Sequence, residues 1–124
     1  MLNRETGEPI WPIVERAVPR GDTPGEWYSP TQPVPTKPPF YDGLGLTEDD
    51  LIDFTPALHA TALKAVEKYR IGPLYTPPSV QGTLMNPGVI GGANWGGSAF
   101  DSATGRLYVK TSNQPALARI RPSD

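Results

Sequence analysis

The clearest hydrophobic periodicity lies in the middle of the chain. Apolar residues recur at steps of three and four positions, which places them on one face of a helix. Thr55-Pro56 is typical of a helix start, and Gly72-Pro73 of a helix end. The pattern therefore predicts a helix over roughly 56–70. Its apolar face comprises Leu58, Ala62, Ala65 or Val66, and Tyr69, and its basic last turn comprises Lys64, Lys68 and Arg70.

A run of acidic residues precedes this helix. Thr47-Glu48-Asp49-Asp50 has the spacing of a capping box, with carboxylates where the helix dipole favours them, and predicts a short helical turn. With Asp53, these carboxylates also resemble a metal cluster, but a solvated helix start explains them better. His59 is the only histidine, so we interpret it as a surface or partly packed side chain rather than a ligand.

The C-terminal third has strand-like runs separated by turn residues. Phe100–Asp101 and 107–111 flank the stretch 102–105, which predicts a β-hairpin. Asp101 is placed to accept backbone hydrogen bonds within the turn. Gly105 can adopt the positive φ that closes it.

The first 46 residues contain nine of the sixteen prolines. Each proline removes a backbone donor, so we expect residues 30–39 to be extended or polyproline-like, on a surface rather than in a sheet. The segment is either a linker or a ligand for a proline-recognising domain. The large rings of Trp11, Trp27 and Phe40 indicate that it packs against something.

Composition narrows the class of protein. Thirteen glycines and sixteen prolines in 124 residues exclude a long-helix bundle, and 37% hydrophobic content predicts a thin core. A net charge of −2 implies no nucleic-acid partner. The chain has no cysteine, no apolar run of membrane-spanning length and no secretion signal at its start.

A glycine-rich stretch raises one further possibility. Gly91 and Gly96 have the spacing of the outer glycines of a phosphate-binding loop. Gly97-Ser98 follows where that motif requires a lysine and then serine or threonine. The phosphate-loop interpretation therefore fails.

One turn pattern occurs twice. Residues 3–7 and 101–105 each begin with an Asx residue and continue to Thr-Gly three and four positions later. Repeated units are typical of architectures in which each unit buries its face against a neighbour. Two copies of five residues are a weak signal when taken alone.

The longer motif around these turns resembles a known family. Ala-x-Asp-x-x-Thr-Gly-x-x-x-Trp is the tryptophan-docking motif of the eight-bladed quinoprotein propellers. The chain departs from it with Asn3 for aspartate, Met1 for alanine and Val109 for the second tryptophan, and these changes weaken the docking contacts. The chain is also similar over nearly its whole length to the glucose dehydrogenases that depend on pyrroloquinoline quinone (PQQ). The stretches that carry this resemblance are NRETGEPIWP (3–12), PTQPVPTKPP (30–39), TEDDLIDFT (47–55), YRIGPLYTPPSVQGT (69–83), GGANWGGSAFD (91–101) and LYVKTSN (107–113).

The resemblance implies an all-β fold with a helical excursion, as a fragment of an eight-bladed β-propeller. A blade takes about 40–45 residues, so 124 residues cannot close even a four-bladed ring of roughly 160. We expect the end of one blade at 1–12, a proline-rich surface excursion at 13–46, a helical insertion at 47–72 and strands of a following blade at 73–124. A signal peptide is then expected upstream.

The resemblance also implies a chemistry. The family oxidises a sugar or alcohol hydroxyl with PQQ, calcium as Lewis acid and an aspartate base, and passes electrons to a quinone acceptor. Of the family's site residues, only a cofactor-binding asparagine matches this chain, at Asn94; no catalytic or metal-binding residue is assigned. Asn94 either donates to the quinone or satisfies a strand-end backbone group, and Trp95 is expected in core packing.

The expected partners are the remaining propeller blades and a glucose-like sugar or polyol. The expected location is the periplasm, where a missing N-terminal segment would provide any anchor to the inner membrane. Two other functions stay open at this point. One is a non-catalytic propeller segment, and the other is a free-standing proline-rich interaction protein that uses residues 30–39.

Overall fold

The computed structural model describes residues 1–94 and 96–121, and it is built mainly of short strands with one α-helix. The strands pair into four two-stranded antiparallel sheets, β1–β2, β3–β4, β5–β8 and β6–β7. The expected β fold with a helical excursion is thereby confirmed. The elements are β1 (Ile13–Ala17), β2 (Thr31–Pro35), β3 (Gly45–Leu46), a 3₁₀ turn (Glu48–Asp50), α1 (Pro56–Val66), β4 (Gly72–Pro73), β5 (Thr83–Met85), β6 (Ser98–Asp101), β7 (Arg106–Val109) and β8 (Ala116–Ala118).

Helix α1 starts where the sequence predicts but ends four residues early. The Thr55 hydroxyl accepts a hydrogen bond from the Leu58 N–H at 3.2 Å, and Pro56 occupies the first turn. At the other end, the backbone of Arg70 pairs with the strand that contains Thr83, donating to Gly82 O and accepting from Leu84 N. The predicted end at 70 is wrong because these bonds require Arg70 to be extended.

The acidic turn before α1 is stabilised by its own side chains. The Thr47 N–H and hydroxyl donate to Asp50 Oδ2 at 2.7 and 2.8 Å. These two bonds, the backbone one first, lower the pKa of Asp50 below its ordinary value. Glu48, Asp49, Asp50 and Asp53 are all exposed, which agrees with the solvated helix start.

The proline-rich segment differs from its predicted form. Residues 31–35 form β2 and pair with β1 through Val14↔Val34 and Arg16↔Gln32. Bonds from Val18 N to Pro30 O and from Thr36 N to Pro12 O flank this ladder. The prediction that residues 30–39 stay outside a sheet is therefore wrong for 31–35.

The position of each proline explains how the ladder forms. Antiparallel pairs alternate between hydrogen-bonded and non-bonded positions. The flanking bonds place the even-numbered positions of β2 in the bonded class, so Pro33 and Pro35 fall in the other class. Their missing N–H groups would have pointed away from β1, so their absence costs no ladder bond.

The two Asx turns have the same backbone geometry. In one, the Gly7 N–H donates to Asn3 O; in the other, the Gly105 N–H donates to Asp101 O, each at 2.8 Å. Both glycines have positive φ, +76° and +69°. In each turn the Asx side chain also accepts from the N–H two residues on. The repeated pattern and the predicted hairpin are thereby confirmed.

The two turns differ in how the threonine is used. The Thr104 hydroxyl donates to Asp101 Oδ2 at 2.6 Å, whereas the Thr6 hydroxyl accepts from the Glu8 N–H. A carboxylate has a second acceptor oxygen for the threonine, and a carboxamide does not. The Thr104 bond, with the bond from the Ala103 N–H, lowers the pKa of Asp101.

The core is thin, as the composition predicts. Val34 and Leu46 are the buried apolar side chains within the described ranges. Ser79 and Thr83 are also buried, and their hydroxyl oxygens lie 3.1 Å apart. Many large apolar side chains are exposed, including Trp27 at 81%. Surfaces of this kind mark contacts with other protein. No helix within residues 1–94 and 96–121 has the length and apolar character to cross a membrane.

Candidate functional site

Asn94 lies in the loop that connects β5 to β6, and the chain segment before β8 holds this loop in place. The Ser112 N–H donates to Gly92 O at 3.1 Å, and the Gly88 N–H donates to Gln114 O at 2.9 Å. Within the loop, the Gly91 N–H donates to Gly88 O at 2.9 Å. The loop backbone is therefore fixed at several points before it reaches Asn94.

The Asn94 side chain is exposed and packs against the loop itself. A Cβ atom added at Gly91 would lie 2.9 Å from both Asn94 Nδ2 and Asn94 Oδ1. Gly91 also has φ +73°, a conformation that favours glycine. The loop thus needs glycine at 91 to present the Asn94 carboxamide at the surface. The expectation for Trp95 falls outside the described residues.

A carboxylate also lies against this loop. A Cβ atom added at Gly92 would be 2.6 Å from Asp42 Cγ and 2.9 Å from Asp42 Oδ1. Asp42 Oδ1 is buried and accepts no hydrogen bond from the described part of the chain. The Asp42 carboxylate and the Gly92 backbone are therefore in direct van der Waals contact.

Two asparagines fix the segment that carries Asp42. The Gly43 N–H donates to Asn113 Oδ1 at 2.9 Å, and Asn86 Nδ2 donates to Gly43 O at 3.1 Å. The Gly45 N–H donates to Asn86 O at 2.7 Å. We call Asp42, Asn86 and Asn113 the polar clamp. Sequence reasoning missed it because its members are 27 to 71 positions apart; the turn-forming pairs at 42–43 and 86–87 were the available signals.

A cationic residue also lies beside the loop. The Cβ and Cδ atoms of Lys110 would each be 3.2 Å from a Cβ added at Gly96. Lys110 follows β7 and is exposed. The aliphatic part of the Lys110 side chain thus lies against one end of the loop, and the Asp42 carboxylate lies against its middle.

The remaining sequence candidates lie elsewhere. His59 Nδ1 is 3.2 Å from Ile52 O and its ring is half-buried, as expected for a partly packed side chain. Within residues 1–94 and 96–121, no group of three or more His, Cys, Asp or Glu side chains is arranged to hold a metal ion. Asn94 is thus the one residue predicted for cofactor binding that has a described position.

Comparison with known families covers the whole chain. The family described as "Glucose/ethanol/alcohol dehydrogenase, beta-propeller domain", designated PQQ, matches residues 1–124. The chain belongs to this family of PQQ-dependent dehydrogenases. The resemblance read from the sequence motifs is thereby confirmed, as is membership of a β-propeller family.

The curated relatives of the chain are named for several different substrates. The chain is 35% identical over 109 residues to a quinate/shikimate dehydrogenase (quinone) of Acinetobacter baylyi, which covers 88% of the chain and 14% of the relative. It is 32% identical to quinoprotein glucose dehydrogenase A of Acinetobacter calcoaceticus, covering 100% of the chain and 16% of the relative. It is also 32% identical to the glycerol dehydrogenase large subunit of Gluconobacter thailandicus, and this match covers 97% of the chain and 16% of the relative.

The chain therefore spans about one sixth of the length of these relatives. No solved structure gives a significant match to it.

One side chain of the loop has donor chemistry that suits the family's cofactor. PQQ is a planar, polyanionic quinone, and a carboxamide offers N–H donors to its oxygens without adding charge. The Asn94 carboxamide is at the surface, and the Lys110 side chain lies against Gly96 of the same loop. That Asn94 would hold this group stays a prediction.

Proposed function

We propose that this chain is part of a dehydrogenase that uses PQQ to oxidise a CH–OH group of a sugar or polyol, with glucose as the leading substrate. The observation that carries the proposal is the family match over residues 1–124. Relatives named for glucose, quinate/shikimate and glycerol support a polyhydroxylated substrate. The word "(quinone)" in the name of the quinate/shikimate dehydrogenase supports transfer of electrons to a quinone acceptor, and "quinoprotein" in the name of the glucose dehydrogenase supports a quinone cofactor.

The remaining blades of an eight-bladed propeller are the proposed structural partner. Each described sheet has only two strands, and side chains such as Trp27, Phe54 and Phe100 are largely exposed. Covering such surfaces provides the burial that the chain's own core lacks. The relatives, about six times longer, contain enough residues for the other blades.

The chemistry is divided between this chain and the rest of the enzyme. When bound, PQQ accepts the two electrons removed from the substrate alcohol. Asn94 donates a hydrogen bond from its carboxamide to a quinone or carboxylate oxygen and orients the ring system. We assign the aspartate base and the calcium ion to other blades, and the enzyme to the periplasm, with any inner-membrane anchor in an N-terminal segment upstream.

The cofactor role of Asn94 is tested by Asn94→Ala in the full-length enzyme. A hydrogen bond to a charged group contributes about 1.5–3 kcal/mol, so PQQ affinity should fall by roughly 10- to 100-fold. The measurement is titration of cofactor-free enzyme with PQQ, followed by absorbance. Gln81→Ala removes an exposed carboxamide outside the loop and should leave the affinity unchanged. Equal affinities for wild type and Asn94→Ala would overturn the assignment.

The activity is tested separately with a substrate panel. Full-length enzyme loaded with PQQ and calcium should reduce an artificial electron acceptor fastest with glucose, and more slowly with glycerol or quinate. A faster rate with quinate would contradict the choice of glucose. Loss of activity on every alcohol, despite PQQ binding, would favour a non-catalytic propeller segment.

A further inference from the structure

We propose that Asp42 is a positioning residue for the cofactor site, because its carboxylate sets the location of the loop that presents Asn94. The inference rests on the proposed function, in which Asn94 contacts PQQ. Asp42 itself does not touch the cofactor; it acts through Gly92. The loop and the Asp42 segment are about 50 residues apart in the sequence, so neither determines the other locally.

The contact between Asp42 and Gly92 is so close that a larger residue at 92 requires the carboxylate or the loop to move. A Cβ atom there would lie 2.6 Å from Asp42 Cγ, well inside van der Waals separation. Gly92 does not have the positive φ that its neighbour Gly91 has. The requirement for glycine at 92 therefore comes from the Asp42 carboxylate and not from backbone conformation.

Hydrogen bonds with the two asparagines of the polar clamp fix the backbone next to Asp42. Gly43, the next residue, is bonded on its N–H by Asn113 and on its carbonyl by Asn86. Asn113 belongs to the same segment that bonds Gly92 O through the Ser112 N–H. Three segments, 42–45, 86–92 and 112–114, thus hold one another in place, with the Asp42 carboxylate packed against Gly92.

The electrostatics of Asp42 support a role other than stability. Its Oδ1 atom is buried without a hydrogen-bond donor from the described residues, and so is Asn86 Oδ1. An unsatisfied buried acceptor is costly, so its presence in a native structure calls for an explanation. The close contact with Gly92 is the role that the structure shows for this carboxylate.

The decisive experiment is a double-mutant cycle in the full-length enzyme. Gly92→Ala should lower PQQ affinity at least 10-fold if the carboxylate holds its position, because the methyl group then displaces the loop. Asp42→Ala should also lower affinity, because it removes the loop's support. In the double variant Asp42→Ala/Gly92→Ala, the methyl group occupies the space left by the carboxylate and should recover most of the affinity. Asp42→Asn, which keeps the shape, should bind PQQ as wild type does.

A second readout needs no cofactor. In the cofactor-free enzyme, hydrogen exchange of the backbone amides at 88–94 should be several-fold faster in Asp42→Ala than in wild type or Asp42→Asn. Gly96→Ala is the matched control in the same loop, because the nearest atoms to its methyl group are Cβ, Cδ and O of Lys110 at 3.2–3.3 Å, a much smaller overlap than at Gly92. It should leave exchange and affinity close to wild type.

The outcomes separate the two proposals. Unchanged exchange in Asp42→Ala, or a double variant no better than Gly92→Ala, would overturn the positioning role even if Asn94→Ala weakens binding. Conversely, normal PQQ affinity in Asn94→Ala would refute the cofactor assignment, whereas the exchange data would still test whether Asp42 holds the loop.

Discussion

Gly45→Ala tests the close approach of β3 and β4 on either side of the helical insertion. Gly45 has φ +88°, and a Cβ atom there would lie 2.6 Å from Pro73 C and 2.7 Å from Gly72 O and Leu74 N. All three atoms belong to the backbone, so no side-chain rotation relieves the collision. The substitution must either separate the two strands or move Gly45 away from Asn86 O, to which its N–H donates.

The expected loss has two parts. Placing alanine in the left-handed region costs roughly 1–2 kcal/mol. Overpacking against fixed atoms adds about 1–3 kcal/mol. We therefore expect Gly45→Ala to lower the free energy of unfolding by about 2–5 kcal/mol.

Gly105→Ala provides the matched control. Gly105 also has positive φ, +69°, but a Cβ atom there has nothing within 4 Å. Its substitution should cost only the conformational part, about 1–2 kcal/mol. The assay is urea unfolding of the full-length protein, with hydrogen exchange at 45–46 and 72–73 as the local readout. Equal losses in the two variants would refute the reasoning from backbone collision.

Two further predictions concern stability. The isolated 124-residue chain should show no cooperative thermal unfolding, since Val34 and Leu46 are its buried apolar side chains within the described residues; a sharp calorimetric transition would contradict this. Because the folded-state pKa of Asp101 is lowered, its bonds to Thr104 and Ala103 stabilise the fold above the ordinary aspartate pKa of about 3.9 and are lost as pH falls below it. The difference in free energy of unfolding between wild type and Asp101→Asn, measured by urea unfolding, should therefore shrink between pH 5 and pH 2. A difference that stays constant over this range would argue against stabilisation by the ionised Asp101 carboxylate.

Features set by neighbouring residues could be predicted from the sequence. The start of α1 depends on Thr55 and Pro56 alone, and the hairpin depends on Asp101 and Gly105. In each case the hydrogen-bond donor and acceptor are within four positions. Residue types at fixed spacing are then sufficient to predict the geometry.

Features set by pairing between distant residues could not be predicted from the sequence. Helix α1 stops at Val66 because Arg70 pairs with a strand that begins thirteen residues later, and β2 tolerates Pro33 because β1 lies on its other side. Local propensity carries no information on either partner. The same holds for the candidate site, where the resemblance located Asn94 but the contact between Asp42 and Gly92 required coordinates.

The bond from Gly43 to Asn113 has a consequence for how the enzyme is made. These residues are 70 positions apart, so the first has left the ribosome long before the second is synthesised. Asn94 lies between these two positions, so the loop that carries it lacks this support until Asn113 has folded back onto Gly43. If Asn94 contacts the quinone as proposed, we expect the loop to become competent for that contact only after residues 112–114 are in place.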